Sequence, residues 1–200
     1  MIFIASRGAG QDMDGTPRVY RRDGKGDVIY YALQQTRLGL MLVAASDRGL
    51  CCAAFGEGEA TLLEQLQAVF SQADIRPSTI EASEHLNNWA TAIAAYLARQ
   101  TPLPNLPLDL RGTAFQMMVW RYLLHIEAGN TLSYRELAEA VNKPKAARAV
   151  ASACGANKVA ILVPCHRILQ GDGGLGGYRW GLERKRDLLE LEKSESAHWG

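Results

Sequence analysis

Three prolines between residues 102 and 107 divide this sequence into two parts with different hydrophobic patterns. Short apolar runs bounded by turn residues precede the prolines, whereas apolar residues at helical spacing dominate after them. Because proline interrupts helices and strands, a linker is expected here. Two hundred residues suffice for two small domains. We expect a flexible tail over residues 1–27, an N-terminal α/β domain over 28–104 and a C-terminal domain over 105–200.

The N-terminal part predicts a small sheet and two helices. Apolar runs at residues 28–33, 39–44 and 50–55 are separated by turn residues, which predicts three short strands. Apolar residues then recur every three to four positions over 62–70 and again over 86–97. This spacing predicts two amphipathic helices that pack on the sheet.

The C-terminal part predicts a helix-turn-helix. Thr113 is placed to cap a first helix. Ser133 and Glu136 match a capping box. In this motif the Ser133 side chain accepts a hydrogen bond from the Glu136 backbone amide, and the Glu136 side chain accepts one from the Ser133 amide. Pro144 interrupts the helix that follows and suits the first turn of another one, over residues 145–154.

This last helix is rich in alanine and carries one long polar side chain, Arg148. Helices that read the major groove usually carry several Arg, Asn or Gln side chains. A helix of small residues suits the minor groove instead, which is only about 6 Å wide. Arg148 is then placed to enter the duplex and replace an extruded base. Two packed core helices with small contact residues remain the alternative.

Cys165 and His166 are adjacent and directly follow a short apolar run, residues 159–163. A thiol becomes a strong nucleophile as the thiolate, which a neighbouring base helps to form. A reactive cysteine close to a DNA-docking helix predicts chemistry on DNA that ends on the protein itself.

Charge and composition limit the classes of partner that this protein can bind. The net charge is +1, but the segment 143–186 holds nine basic and two acidic residues, and basic surfaces favour nucleic acid. The four cysteines form no CxxC pair, so we expect reduced thiols, no metal and no cofactor. The apolar stretches are too short for a membrane span, and no signal peptide is evident, which predicts a cytoplasmic protein without membrane contact.

Together these motifs resemble the O6-alkylguanine-DNA alkyltransferases, also called methylated-DNA–protein-cysteine methyltransferases. The resemblance runs from about residue 30 to about residue 192 and is closest to the repair half of the bacterial adaptive-response members. The motifs in family order are 112–116, 133–134, 143–150, 156–157, 161–167 and 177–178. Nothing matches the zinc-bound cysteine cluster of those members, so we expect the repair half alone or a stand-alone relative.

The resemblance implies an α/β (α+β) fold. A small N-terminal antiparallel sheet with helices, similar to ribonuclease H, would precede a mostly helical C-terminal domain. The implied reaction is direct, irreversible and stoichiometric transfer of the alkyl group from O6-alkylguanine or O4-alkylthymine in duplex DNA to Cys165. Alkylated double-stranded DNA, bound through its minor groove without sequence preference, would be the partner of a monomeric protein.

The resemblance also assigns catalytic roles. Cys165 would accept the alkyl group, and His166 would act as its base through a bridging water. Glu192 would orient His166, and Asn157 would brace the turn between the DNA-binding helix and the cysteine. Tyr134 would donate a proton or hydrogen bond to the departing guanine and help to rotate its phosphate.

Further residues would contact DNA and line the substrate pocket. Arg148 would replace the flipped nucleotide. The other implied DNA contacts are Lys145, Ala147, Ala149, Ser152 and Tyr134. The implied pocket residues are Val163, Pro164, Tyr178 and Arg179. Other branches have a small residue at the position of Arg179, so this side chain is expected to narrow the pocket.

Two other functions compete with this interpretation. A non-enzymatic module that binds alkyl lesions would flip the base without reacting, but the presence of Cys165 speaks against it. A transcription regulator would use the helix-turn-helix to read sequence, but the scarcity of base-reading side chains on its second helix disfavours that function.

Overall fold

The computed structural model describes residues 23–196. Most of the tail predicted over 1–27 therefore lies outside the described residues. The N-terminal elements are β1 (Val28–Thr36), β2 (Gly39–Ser46), β3 (Gly49–Gly56), α1 (Glu59–Val69), β4 (Asp74–Pro77) and α2 (Ile80–Leu97). The C-terminal elements are α3 (Ala114–Leu123), β5 (Leu132–Ser133), α4 (Tyr134–Ala140), α5 (Ala147–Gly155), a 3-10 helix (Cys165–Arg167), β6 (Ile168–Leu169) and α6 (Leu182–Ser196). The expected mixed α/β class is confirmed, whereas the domain boundary stays a prediction.

The N-terminal sheet has the strand order β3-β2-β1-β4. The three predicted strands pair antiparallel in sequence order, but β4 pairs parallel to β1. The sheet is therefore mixed rather than purely antiparallel, and the sequence patterns missed its fourth strand. β4 reads Asp-Ile-Arg-Pro and is exposed except for Ile75, so it lacks the apolar alternation by which strands are recognised.

The outer edge of β3 is covered by two segments from the C-terminal part. Leu50 accepts from the Asp109 backbone amide and donates to the Pro107 carbonyl, at 2.9 and 2.8 Å. Ala53 donates to the Lys158 carbonyl at 2.9 Å and accepts from the Ala160 amide at 2.8 Å. An uncovered edge would expose unpaired amides and carbonyls. The sheet therefore fixes the chain just before the predicted reactive cysteine.

Both predicted helix caps are present in the C-terminal part. Thr113 and Ser133 each accept from the third backbone amide of their helix, and Gln116 and Glu136 complete capping boxes. The predicted start of the next helix is wrong by two residues. Pro144 lies in a turn closed by the Ala146 amide and the Lys143 carbonyl at 2.8 Å, and α5 begins only after this turn.

A buried ion cluster joins the N-terminal sheet to the linker. Arg111 donates to Asp109 Oδ2 through Nε at 3.0 Å and through its terminal nitrogen at 2.5 Å. Another terminal nitrogen donates to Asp27 at 2.6 Å, and Ser46 donates to Asp109 at 2.6 Å. The Arg111 side chain is 1% exposed. Buried charges are tolerated only when they are paired, so this cluster fixes β1, β2 and the linker together.

Replacing Arg111 by Met should lower the free energy of unfolding by about 3 kcal/mol, because it leaves buried carboxylates without their cation. Urea unfolding measures this loss. The matched control is Arg76→Met, which removes the exposed ion pair with Asp74 and should leave stability unchanged within error. Equal effects of the two substitutions would contradict the structural importance of the buried cluster.

Candidate active site

Cys165 begins the 3-10 helix and is 5% exposed. The preceding turn contains Ile161 at φ +70°, an unfavourable conformation for a β-branched residue. Its neighbours Ala160 and Val163 are held by backbone hydrogen bonds to Ala53 and Val159. Strained backbone persists where the surroundings impose it, and it is common at functional sites.

Asn157 supports this turn from the inside. Its Nδ2 donates to the Val163 carbonyl at 2.9 Å and lies 3.2 Å from Cys165 Sγ. Its Oδ1 accepts from the Val159 amide at 2.9 Å. One buried amide thus holds both the turn and the sulfur, in the position that the predicted bracing role requires.

Burial raises the pKa of the Cys165 thiol to about 11, although the Asn157 hydrogen bond and the Lys185 charge act in the opposite direction. The thiol is therefore neutral near pH 7, and forming the thiolate requires a base. Cysteine reactivity follows thiolate formation.

His166 and Glu192 form a buried pair beside Cys165. His166 Nε2 lies 2.8 Å from Glu192 Oε1, and both side chains are at most 1% exposed. Arg167 donates to both oxygens of the same carboxylate, at 2.9 and 2.7 Å, and also to the Ile126 carbonyl. Burial opposes ionisation of Glu192, but the hydrogen bonds from His166 and Arg167 prevail and lower its pKa to about 2.

This pairing fixes the tautomer of His166. Burial lowers the pKa of His166 despite the opposing effect of Glu192, so the imidazole is neutral near pH 7. A carboxylate accepts hydrogen bonds, and Nε2 therefore carries the proton. Within the described part of the chain, the buried Nδ1 has no hydrogen-bond partner. Its lone pair is available to accept a proton.

Cys165 faces a cavity of about 270 Å³. Tyr134 from α4 lines it together with the predicted pocket residues Tyr178 and Arg179. The remaining lining residues are Ala151, Cys154, Gly155 and Gly177. A larger cavity of about 470 Å³ lies between the N-terminal sheet and α2, but none of the predicted site residues lines it. The predicted chemistry therefore belongs to the smaller cavity.

Tyr134 remains protonated in this cavity. Burial raises the pKa of its phenol, and proximity to Cys154 and Cys165 raises it further. Gly176 has φ +65°, and a Cβ there would lie 3.1 Å from the Tyr134 ring. The glycine at this position thus permits the loop to approach the phenol closely.

Val163 and Pro164 are buried but do not line the cavity. The Val163 carbonyl already accepts from Asn157 Nδ2 and from the Cys165 amide at 2.8 Å. Both of its acceptor positions are occupied, so the structure places this residue in the support of the turn. Its predicted contact with substrate stays a prediction.

The outer face of α5 carries the residues predicted to contact DNA. Arg148, Ala149 and Ser152 are exposed and Ala147 is half-buried, while Val150 and Ala153 point into the core. Lys145 is exposed in the preceding turn. Arg148 has no ion-pair partner among residues 23–196. The face is smooth apart from this one cation.

Sequence reasoning missed Lys185, which is fully buried on α6. Its Nζ donates to the carbonyls of Ile168 at 2.5 Å, Gly177 at 3.3 Å, and Leu175. These bonds join the end of the cysteine segment to the loop that forms one wall of the cavity. Lys185 lies three residues before Leu188 and seven before Glu192, so the three side chains share one face of α6. This spacing was a sequence signal that Lys185 faces inwards.

Within residues 23–196, no group of three or more His, Cys, Asp or Glu side chains is placed to hold a metal ion. No described helix is long and apolar enough to cross a membrane. All four cysteines are free and buried.

Comparison with known proteins places this geometry in a family. Residues 29–110 match the ribonuclease-like domain of 6-O-methylguanine DNA methyltransferase, and residues 114–194 match the DNA-binding domain of the same family. The chain therefore belongs to the 6-O-methylguanine DNA methyltransferases, which confirms the resemblance drawn from its motifs.

Individual relatives support the same family assignment. The bifunctional transcriptional activator/DNA repair enzyme Ada of Escherichia coli is 48% identical over 93% of this chain. The chain spans only about half of that protein's length, 51%. The methylated-DNA–protein-cysteine methyltransferase of Saccharomyces cerevisiae is 33% identical over 85% of this chain and 96% of its own length.

Solved structures also share the fold. The Mycobacterium tuberculosis O6-methylguanine methyltransferase has a TM-score of 0.68 and 35% identity, covering 83% of this chain and 93% of its own. A structure of the M. tuberculosis protein in complex with DNA has a TM-score of 0.66 and 35% identity, covering 84% and 93%.

Replacing Lys185 by Met should lower the free energy of unfolding by about 2 kcal/mol, because buried carbonyls lose their donor. Hydrogen exchange of the amides at 175–177 should accelerate. Arg186→Met, which changes the exposed neighbour on the same helix, is the control and should alter neither quantity. Unchanged exchange in the Lys185 variant would mean that this lysine does not hold the cavity wall.

Proposed function

We propose that this protein repairs alkylated DNA by transferring the alkyl group from O6 of guanine, or O4 of thymine, to its own Cys165. The observation that carries the proposal is the buried pairing of Asn157 with Cys165 and of His166 with Glu192, in which Cys165 faces a cavity lined by the helix-turn-helix. The names of the relatives and the M. tuberculosis complex with DNA support it.

The first step is activation of the thiol. His166 accepts the proton released by Cys165 through a bridging water, because Nδ1 is unprotonated and has no side-chain partner among the described residues, while Nε2 is paired with Glu192. Glu192 is itself fixed by two hydrogen bonds that Arg167 donates to its carboxylate, so the imidazole cannot rotate freely. His166 acts as the general base, and Glu192 acts through it.

The second step is transfer. The thiolate attacks the alkyl carbon, a sulfur–carbon bond forms, and the bond between that carbon and guanine O6 breaks. The electron pair remains on guanine, which takes a proton or hydrogen bond from Tyr134. The raised pKa of this phenol keeps it a donor near neutral pH. The product is a thioether that no residue of the site is placed to cleave, so each chain reacts once.

Duplex DNA is the proposed partner, contacted by α5 through the minor groove. Arg148, Ala149 and Ser152 present a nearly smooth exposed face, which allows close approach with little sequence preference. A base must leave the stack before it can reach the cavity, and Arg148 is placed to fill the gap. A monomer in the cytoplasm, where thiols stay reduced, suits this chemistry.

The proposed function is tested by single-turnover transfer from duplex DNA that carries O6-methylguanine with a labelled methyl group. Label should saturate at one methyl per wild-type chain and be absent from Cys165→Ser. Binding of the lesion without label on wild type would instead indicate a lesion-binding module. Binding that depends on DNA sequence would indicate a transcription regulator.

The pH profile tests the role of His166. Because the base is neutral and the thiol titrates only near pH 11, the wild-type transfer rate should be flat from about pH 7 to about pH 9. It should fall only below the ordinary histidine pKa of 6.5, since burial lowers the pKa of His166. In His166→Gln, hydroxide must remove the thiol proton, so the rate should rise with pH towards 11. A flat profile in this variant would contradict the role.

Arg148→Ala should slow transfer from duplex DNA by about tenfold or more, since base flipping costs a few kcal/mol. Transfer from the free base O6-methylguanine should change little. Arg121→Ala, an exposed arginine on α3, serves as the control. Equal losses on duplex and free base would mean that Arg148 takes no part in flipping.

A further inference from the structure

Arg184 on α6 joins the N-terminal sheet to the segment that leaves the Cys165 cavity. Its Nε donates to the Leu38 carbonyl, in the turn between β1 and β2, at 2.8 Å. One terminal nitrogen donates to the Trp180 carbonyl at 2.9 Å. The guanidinium also lies 5.5 Å from the centre of the Phe55 ring, near the end of β3. One half-buried side chain therefore contacts both halves of the chain.

The Trp180 end of this contact leads into the cavity. Trp180 is buried, and its ring packs edge-on against the Tyr178 ring with the centroids 5.2 Å apart. Tyr178 lines the cavity beside Cys165 and packs edge-on against the His166 ring, with the centroids 6.4 Å apart. Closely packed side chains transmit displacement to one another. A shift of Trp180 would therefore displace Tyr178 at the reacting thiol.

Consecutive residues of α6 hold the cavity wall on either side of Tyr178. Lys185 donates to the Gly177 carbonyl at 3.3 Å, directly before Tyr178. Arg184 donates to the Trp180 carbonyl, two residues after it. Burial raises the pKa of the Tyr178 phenol, and the Arg184 charge acts in the opposite direction, as a nearby cation should. Arg184 is thus the anchor of this wall that also reaches the N-terminal sheet.

The turn between β1 and β2 presents its carbonyl to Arg184 in a fixed geometry. Thr36 Oγ1 accepts from the Leu38 amide at 3.1 Å and donates to the Gly39 carbonyl at 2.8 Å, which closes the turn. Gly39 has φ +104°, and a Cβ there would lie 3.1 Å from a terminal nitrogen of Arg184. The glycine therefore permits the close approach of the turn to the guanidinium.

We propose that Arg184 is a positioning residue for the transfer reaction. Through it, the N-terminal sheet sets the place of Tyr178 in the cavity and thereby the rate at which Cys165 accepts the alkyl group. The inference rests on the proposed function. Arg184 touches no reacting atom and acts through Trp180 and Tyr178. Misplacement of a site by about 1 Å can cost about a hundredfold in rate, even when its cause is remote.

The test is single-turnover transfer from duplex DNA that carries O6-methylguanine, measured at several duplex concentrations. It gives the maximum rate, the half-saturating concentration and the final label per chain. Arg184→Met should lower the maximum rate by about tenfold and leave the other two quantities unchanged. Arg184→Lys should be nearly as slow, because an ammonium lacks the planar fork that reaches both carbonyls. Arg186→Met, which changes an exposed neighbour, is the control.

Gly39→Ala perturbs the same contact from the N-terminal side. The added methyl group should displace Arg184 and slow transfer in the wild-type background. It should slow transfer no further in Arg184→Met, because the two substitutions disrupt one interaction. Gly26→Ala is the matched control, since Gly26 also has a positive φ, +82°, but no atom lies within 4 Å of the added Cβ.

A wild-type maximum rate in Arg184→Met overturns the inference. Full rescue by Arg184→Lys also overturns it, because charge alone would then suffice. A raised half-saturating concentration at an unchanged maximum rate would assign Arg184 to DNA binding, and less final label at an unchanged rate would assign it to stability alone. Both contradict a positioning role. These outcomes leave the proposed function standing, whereas a wild-type chain that takes up no methyl group ends both.

Discussion

The site depends on one buried carboxylate. Glu192 accepts hydrogen bonds from His166 and from two nitrogens of Arg167, and Arg167 reaches on to the Ile126 carbonyl at the end of the α3 segment. Three separate parts of the C-terminal half therefore meet at this point. Burying a carboxylate is costly unless every oxygen is paired, and here the pairing also sets which ring nitrogen of His166 carries the proton. Stability and chemistry thus rest on the same interaction.

The rest of the fold holds the cysteine segment from its other sides. The outer edge of β3 pairs with the chain at Lys158 and Ala160, and Asn157 holds the turn from within. Lys185 joins the segment after the cysteine to the opposite wall of the cavity. The N-terminal sheet contributes none of the groups proposed to react, yet it positions the cysteine segment through backbone pairing. A segment held in this way can keep Ile161 in an unfavourable conformation.

Sequence patterns predicted the elements whose signals are local. Three strands, two helix caps and the helix-turn-helix follow from alternation and from residues at fixed short spacing. β4 was missed because it has one half-buried apolar residue and gains its place by pairing with β1.

The adjacency of Cys165 and His166 indicated the site from the sequence. Glu192, 26 positions after His166, was identified only through the family resemblance. Lys185 was overlooked because a lysine in a charged helix is usually exposed, and only tertiary packing makes it a buried donor to three carbonyls.

The central claim is that burial keeps His166 neutral and that Glu192 holds its proton on Nε2, which leaves a free lone pair on Nδ1. Nitrogen-15 NMR of the imidazole side chain measures this directly, because the two ring nitrogens have different chemical shifts when protonated and unprotonated. Nε2 should be protonated and Nδ1 unprotonated at pH 7, and this preference should be lost in Glu192→Leu, which removes the hydrogen-bond acceptor. A doubly protonated imidazole, or a proton on Nδ1, would contradict it.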